Sequence, residues 1–300
     1  MRQEKRLHGV IPAIVTPITK TGKLDIKLLE KQTEYLVNAG VHGLFLCGGT
    51  GEGAYLKTEE KTEIFRTVKS IAGDKIFLCL ALIQSNTRAV TEEMEKMQDL
   101  KPDYIVATAP YYHAASQEDI YEHYRIIAAL APTPVIIYNI PSATHNPIEL
   151  DTVYRLQELD NIAGIKDSSG NFMQFSRGLF APGKKEFAWI QGEDYLCAPT
   201  LLAGGDGMVS GLSNAKVEPY VEMYRACECE DWETVKKCQA KINQLYKIIG
   251  SCGNGNAAIK AVTEIEGRGS RWMQERSMSL SDVQVKEISK ILEDYEKIGE

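Results

Sequence analysis

The chain has 300 residues and a net charge of -7, with charged residues of both signs making up a quarter of it. That length can bury one large core of the size an eightfold α/β barrel often takes up, and the acidic balance supplies no basic stripe to neutralise phosphate backbones, so nucleic acid is not an expected partner. No run approaches the roughly 18 uninterrupted apolar residues of a membrane span, and the charged start Met1-Arg2-Gln3-Glu4-Lys5-Arg6 has no apolar stretch behind it, so a soluble, cytoplasmic protein with no membrane partner is expected.

Gly9-Val10-Ile11-Pro12-Ala13-Ile14-Val15-Thr16-Pro17 reads as a first buried strand, and Asp25 then opens an amphipathic run that ends at Gly40. The alternation repeats. Strand 44–47 precedes a helix from Thr58 to about Ala72, strand 76–82 precedes one beginning near Thr87, and strand 104–108 precedes one beginning near Ser116. The fifth strand, 134–138, is followed by a predicted helix from Pro147, because a first-turn proline lacks an N–H that would have no intrahelical partner there. The sixth strand spans 162–166 with a helix from about Asn171. The seventh, 187–191, is followed by 195–203, and the eighth, 207–210, by a helix from about Ser213.

Eight short apolar strands separated by amphipathic helices predict an α/β fold, a closed (β/α)8 TIM barrel, in preference to an open doubly wound sheet. No strand pattern follows Glu230. Helical patterns at 232–249, 257–264 and 281–298 predict a three-helix C-terminal extension (231–300) packed on a catalytic barrel (1–230), with glycine-rich joints at 250–256 and 267–270.

In such a barrel the active site lies where the strands end, so the residues at which each apolar run stops are the candidates. They are Thr16-Pro17, Gly48-Gly49-Thr50-Gly51-Glu52, Pro110-Tyr111-Tyr112, Tyr138-Asn139, Lys166-Asp167, Gln191-Gly192 and Ser210-Gly211. A lysine, several phenols and a glycine-rich turn at one rim form a Schiff-base constellation. Burial among aliphatic walls disfavours an ammonium, which frees the Lys166 amine as a nucleophile toward a 2-oxo acid, and the resulting iminium is an electron sink. Tyr138, on the neighbouring strand, can trade protons with it. The turn at Gly49 and Thr50 offers backbone N–H groups and a hydroxyl to a carboxylate. Glu52, between Gly51 and Gly53, reads as a brace for that turn.

No metal is expected, because the iminium supplies the electrophile, and His42, His113, His123 and His145 are scattered without ligand spacing. The seven cysteines show no C-x-x-C spacing, and Cys227-Glu228-Cys229 reads as helix surface, so reduced thiols are expected.

With these residues in view, the chain resembles the pyruvate-dependent class I lyase family that includes dihydrodipicolinate synthase and N-acetylneuraminate lyase. Cys47-Gly48-Gly49-Thr50-Gly51-Glu52 is similar to its G-[ST]-T-G-E turn, Tyr138-Asn139-Ile140-Pro141 to its Y-N-x-P, and Gly164-Ile165-Lys166 to its G-x-K. The resemblance runs from Gly9 through the C-terminal helices. It implies a Schiff base on Lys166 with pyruvate or another 2-oxo acid and no further cofactor, Tyr138 as proton donor and acceptor, and the pyruvyl carboxylate at Gly49 and Thr50. It also implies a homotetramer, a dimer of dimers, in which Tyr112 reaches a neighbouring subunit's site. Ser168, Gly192, Asp194, Val209 and Gly211 complete the implied substrate-binding set.

The departures concern the substrate. Gly49 lacks the hydroxyl that the two named enzymes carry there, so the expected relay from Tyr138 to Tyr112 is missing one member. Ala143 stands where the synthases hold a carboxylate-binding arginine, and Tyr195 replaces the glutamate that the lyase uses on the sugar tail, while Asp194 remains for substrate hydroxyls. The reading is a lyase that cleaves or condenses a 2-oxo-3-deoxy sugar acid, like N-acetylneuraminate lyase. The alternatives are a dihydrodipicolinate synthase condensing pyruvate with aspartate semialdehyde, a Schiff-base sugar-acid dehydratase, and a non-catalytic 2-oxo acid binding or sensing protein.

Overall fold

The computed structural model describes residues 6–183 and 186–297. Its eight strands are β1 (Gly9–Pro12), β2 (Gly43–Leu46), β3 (Phe77–Leu82), β4 (Tyr104–Thr108), β5 (Val135–Asn139), β6 (Ile162–Asp167), β7 (Ala188–Gln191) and β8 (Gly207–Ser210). They form one sheet in the order β1-β8-β7-β6-β5-β4-β3-β2, with every paired neighbour parallel. Where β1 meets β2, a parallel bridge joins Ala13 and Phe45, and the His42 and Ile14 N–H groups donate to the carbonyls of Val10 and Phe45. The result is the (β/α)8 barrel that the strand count predicts.

Each strand is buried on both faces, which explains why the apolar runs show no alternation. Leu44, Leu46, Leu80, Leu82, Ile105, Ile137 and Ile165 belong to the layer beneath the helices. Phe45, Cys79, Ala81, Val106, Ile136, Tyr138 and Ile190 form a separate cluster inside the barrel. Side-chain caps start several helices: Asp25 accepts from the Leu28 N–H before Ile26–Asn38, Asn86 from Ala89 before Thr87–Lys96, and Asn171 from Gln174 before Phe172–Leu179. Ser116 and Asp119 form a reciprocal capping box before Gln117–Leu130.

Three elements begin or end away from their predicted positions, and side-chain hydrogen bonds account for each. The helix expected at Pro147 starts instead at Leu150 (Leu150–Gln157), because Asn146 is engaged by its side chain. Its amide donates to the Pro110 and His113 carbonyls and accepts from the Ala115 N–H, which holds the segment extended. The strand expected over 9–17 ends at Pro12, since Asn214 takes over the Ala13 carbonyl and the Val15 N–H. The helix expected near Ser213 begins at Glu218 (Glu218–Glu228), because Ser213 is tied back to Ser210 by both its N–H and its hydroxyl.

Beyond the barrel strands lie helices Trp232–Leu245, Lys247–Gly250, Gly255–Ile265 and Asp282–Lys297; the last residue of the predicted 281–298 pattern falls outside the described residues. Trp232–Leu245 packs along Glu218–Glu228. No helix among the described residues is long and apolar enough to cross a membrane.

Candidate active site

β5 and β6 place Tyr138 and Lys166 directly opposite each other, as register partners at the strand ends. Both are almost fully buried, at 4% and 5% exposure. The Lys166 Nζ lies 3.8 Å from the centroid of the Tyr138 ring and 4.5 Å from that of Phe45. The two rings meet edge to face at 5.8 Å, forming a corner in which the lysine nitrogen is held over aromatic faces. Phe45 has the same inward strand parity as Tyr138, and that parity was the available signal for a residue the sequence reading left out.

The chain past these strands is fixed by a buried network. Asn139 donates to Asp167 Oδ1 at 3.0 Å and accepts from the Ile148 N–H, while Asp167 Oδ1 also accepts from the Ser169 N–H. Burial raises the Asp167 carboxyl pKa above the ordinary aspartate value. The Ser168 N–H donates to the Asn139 carbonyl at 2.8 Å. Gly192 is needed for space: a Cβ there would lie 2.0 Å from Ser168 Oγ and 3.1 Å from Lys166 Cε. A side chain at 192 would displace Ser168 and crowd Lys166.

The turn after β2 leaves the strand through two non-glycine residues in the left-handed region, Cys47 and Glu52, both at φ 57. Such conformations persist only where the surroundings over-determine them. Here Thr16 Oγ1 donates to the Gly51 carbonyl at 2.7 Å, and Glu52 receives Lys260 Nζ at 2.6 Å and the Gln274 N–H at 2.7 Å. Glu52 and Lys260 are both buried, so Glu52 braces the turn, as its glycine context suggested. Burial lowers the Lys260 pKa, opposed by Glu52. The Gly49 carbonyl accepts from Asn256, and a Cβ on Gly49 would meet open space. Thr50 faces Gly211, whose missing side chain leaves room for the Thr50 hydroxyl. Gly48 lies against the Phe45 ring, which brings this turn to the lysine corner.

Other predicted site residues are placed differently. Val209 lines the barrel interior. Asp194 is buried, and its Oδ1 accepts from Ser210 Oγ at 2.5 Å and Tyr220 Oη at 2.6 Å, so this oxygen serves the scaffold and not a substrate hydroxyl. Burial pushes its pKa up to about 6. Tyr195 is half-exposed and packs on Tyr246, with ring centroids 4.3 Å apart. Ala143 is exposed on the one-turn helix Pro141–Thr144. Tyr112 is 87% exposed at φ 80, against the His113 ring. Among the described residues no hydrogen bond joins it to Tyr138 or Lys166, so one chain does not bring the two tyrosines together.

The corner of Lys166, Tyr138 and Phe45, beside the turn that follows β2, is suited to forming an imine with a carbonyl compound. Comparison with known proteins agrees with that chemistry. The model of the dihydrodipicolinate synthetase family matches residues 6–295. The 4-hydroxy-tetrahydrodipicolinate synthase of Karelsulcia muelleri is 34% identical over 264 residues, covering 88% of this chain and 89% of that protein. The enzyme of the same name from Methanospirillum hungatei is 34% identical over 242 residues, covering 80% and 83%. Among solved structures, the chloride-inhibited dihydrodipicolinate synthase of Acinetobacter baumannii complexed with pyruvate superposes with a TM-score of 0.90 at 29% identity, covering 96% of this chain and 99% of that one. The dihydrodipicolinate synthase of Aquifex aeolicus gives 0.89 at 25% identity, covering 97% and 98%. With a buried lysine and tyrosine paired at adjacent strand ends and a family match spanning almost the whole chain, this protein belongs to the dihydrodipicolinate synthetase family of lyases.

Proposed function

We propose that this chain joins pyruvate to an aldehyde, or splits the product, through a Schiff base on Lys166. The observation that carries the reading is the register pairing of Lys166 with Tyr138, with the amine nitrogen over the phenol ring. The Lys166 amine attacks the ketone carbon, and Tyr138 protonates the carbinolamine hydroxyl, which leaves as water to give the iminium. The phenolate then takes a proton from the methyl carbon, forming the enamine. The enamine carbon attacks the aldehyde, and the Tyr138 proton passes to the new alkoxide. Water finally adds to the iminium, its proton returns to the phenolate, and collapse releases product and free amine. The turn at Gly49 and Thr50 holds the carboxylate throughout, and the iminium serves as electron sink with no separate cofactor.

The aldehyde is the finer question. The relatives' shared name supports 4-hydroxy-tetrahydrodipicolinate synthesis from pyruvate and aspartate semialdehyde. Ala143 favours a second reading: with no guanidinium at that position, the tail subsite lacks the charge that grips a second carboxylate, which suits a 2-oxo-3-deoxy sugar acid with a polyol tail. In the assembled enzyme Tyr112 enters a neighbouring subunit's site, consistent with its exposure on the single chain.

A substrate panel tests these readings. Turnover of aspartate semialdehyde with pyruvate, with no cleavage of 2-oxo-3-deoxy acids, selects the synthase. The reverse pattern selects the lyase, and turnover of neither overturns both.

A further inference from the structure

Tyr138 must hold a phenolate between proton transfers, and the groups expected to steady it are absent or distant. Gly49 has no hydroxyl, and Tyr112 is exposed. Among the described residues, Tyr138 Oη makes no hydrogen bond.

The neighbouring strand supplies a hydroxyl that the sequence reading did not single out. Thr108 ends β4, and its Cα pairs with that of Tyr138. On the same ladder Ala107 pairs with Ile137 in the layer beneath the helices, and Val106 pairs with Ile136 inside the barrel. Parity therefore puts the Thr108 side chain on the inward face with Tyr138. It is 3% exposed, and its hydroxyl has no hydrogen-bond partner among the described residues. Its backbone is pinned, since His123 Nε2 lies 3.1 Å from the Thr108 carbonyl and His123 Nδ1 lies 2.9 Å from Thr87 Oγ1.

A buried hydroxyl without a partner is destabilising, because it gives up its hydrogen bond to water and gains none. Valine has the same shape without that cost, so stability alone gives no reason for threonine here. We propose that Thr108 is a positioning residue for Tyr138. Its Oγ–H turns to donate a hydrogen bond directly to the Tyr138 phenolate when that charge forms, and keeps its own proton throughout. The inference rests on the Schiff-base reading.

The test compares wild type, Thr108→Val and Thr108→Ser by the rate of pyruvate adduct trapping with borohydride across pH, together with Tm. Thr108→Val is expected to keep or raise Tm while slowing adduct formation on the order of tenfold. The limb of the pH profile that reports phenolate formation should move to higher pH, because the phenolate has lost a donor, and Thr108→Ser should restore both rate and profile. If Thr108→Val lowers Tm, Thr108→Ala against Thr108→Ser carries the same comparison, with alanine slow and serine fast. Equal rates and profiles in hydroxyl and non-hydroxyl variants, with Lys166 still trapped, overturn this inference alone. Absence of any adduct in the wild type overturns the Schiff-base reading and this inference with it.

Discussion

The base of the site and its rim are built in opposite ways. At the base, Lys166, Tyr138, Phe45, Asn139 and Asp167 are buried, Tyr138 and Asn139 stand in register with Lys166 and Asp167, Asn139 is hydrogen-bonded to Asp167, and the Gly49–Thr50 turn is braced from outside the barrel by Lys260. At the rim, Ala143, Tyr195 and Tyr112 are exposed side chains on short loops or one-turn elements. The base fixes a reaction type, because moving any one member disturbs the others. The rim can change residue by residue without disturbing the fold.

Breaking the brace should have the largest effect. Lys260→Met leaves Glu52 as an uncompensated buried carboxylate, and a loss of about 3–5 kcal/mol is expected by chemical denaturation, with a raised KM for pyruvate as the turn loosens. The double variant Glu52→Gln/Lys260→Met should recover much of that stability; if it does not, the pair is not what holds the turn.

Asp194 gives a smaller effect that assigns it to the base despite its place in the chain beside the rim. Its folded pKa of about 6 lies above the ordinary 3.8, so the fold favours the protonated carboxyl. The stability linked to this group is fully present below about pH 4 and is lost as pH rises through about 6, on the order of 2–3 kcal/mol. Asp194→Asn keeps an acceptor for Ser210 and Tyr220 but cannot titrate, so its stability should lack this loss with rising pH and show instead the opposite trend set by His42 and His123, whose pKa burial lowers to about 4. An unchanged slope in the variant would assign the pH dependence to another group.

Much of the base was legible in the sequence and little of its support was. Lys166 and Tyr138 each close an apolar run, and the position of strand ends in a barrel is enough to bring them together. The Asn139–Asp167 and Glu52–Lys260 contacts join residues 28 and 208 positions apart, and nothing local marks such partners. The displaced boundaries, two helix starts and one strand end, have the same origin, since Asn146, Ser213 and Asn214 replace backbone hydrogen bonds through side-chain contacts that periodicity does not reveal. Thr108 escaped notice because a threonine ending an apolar strand looks like packing until its hydroxyl is found without a partner.

The smallest expected effect lies at the rim. Ala143→Arg should raise any synthase activity a few-fold by supplying a guanidinium for a second carboxylate, with stability unchanged because the site is exposed. No gain in a coupled assay with aspartate semialdehyde would mean that position 143 does not set the choice.

The most direct test of the central claim is borohydride reduction in the presence of pyruvate, followed by intact and peptide mass measurement. The account predicts one pyruvyl adduct per chain, located on Lys166 and absent from a folded Lys166→Ala variant. An adduct that persists in that variant, or no adduct in the wild type, would contradict it.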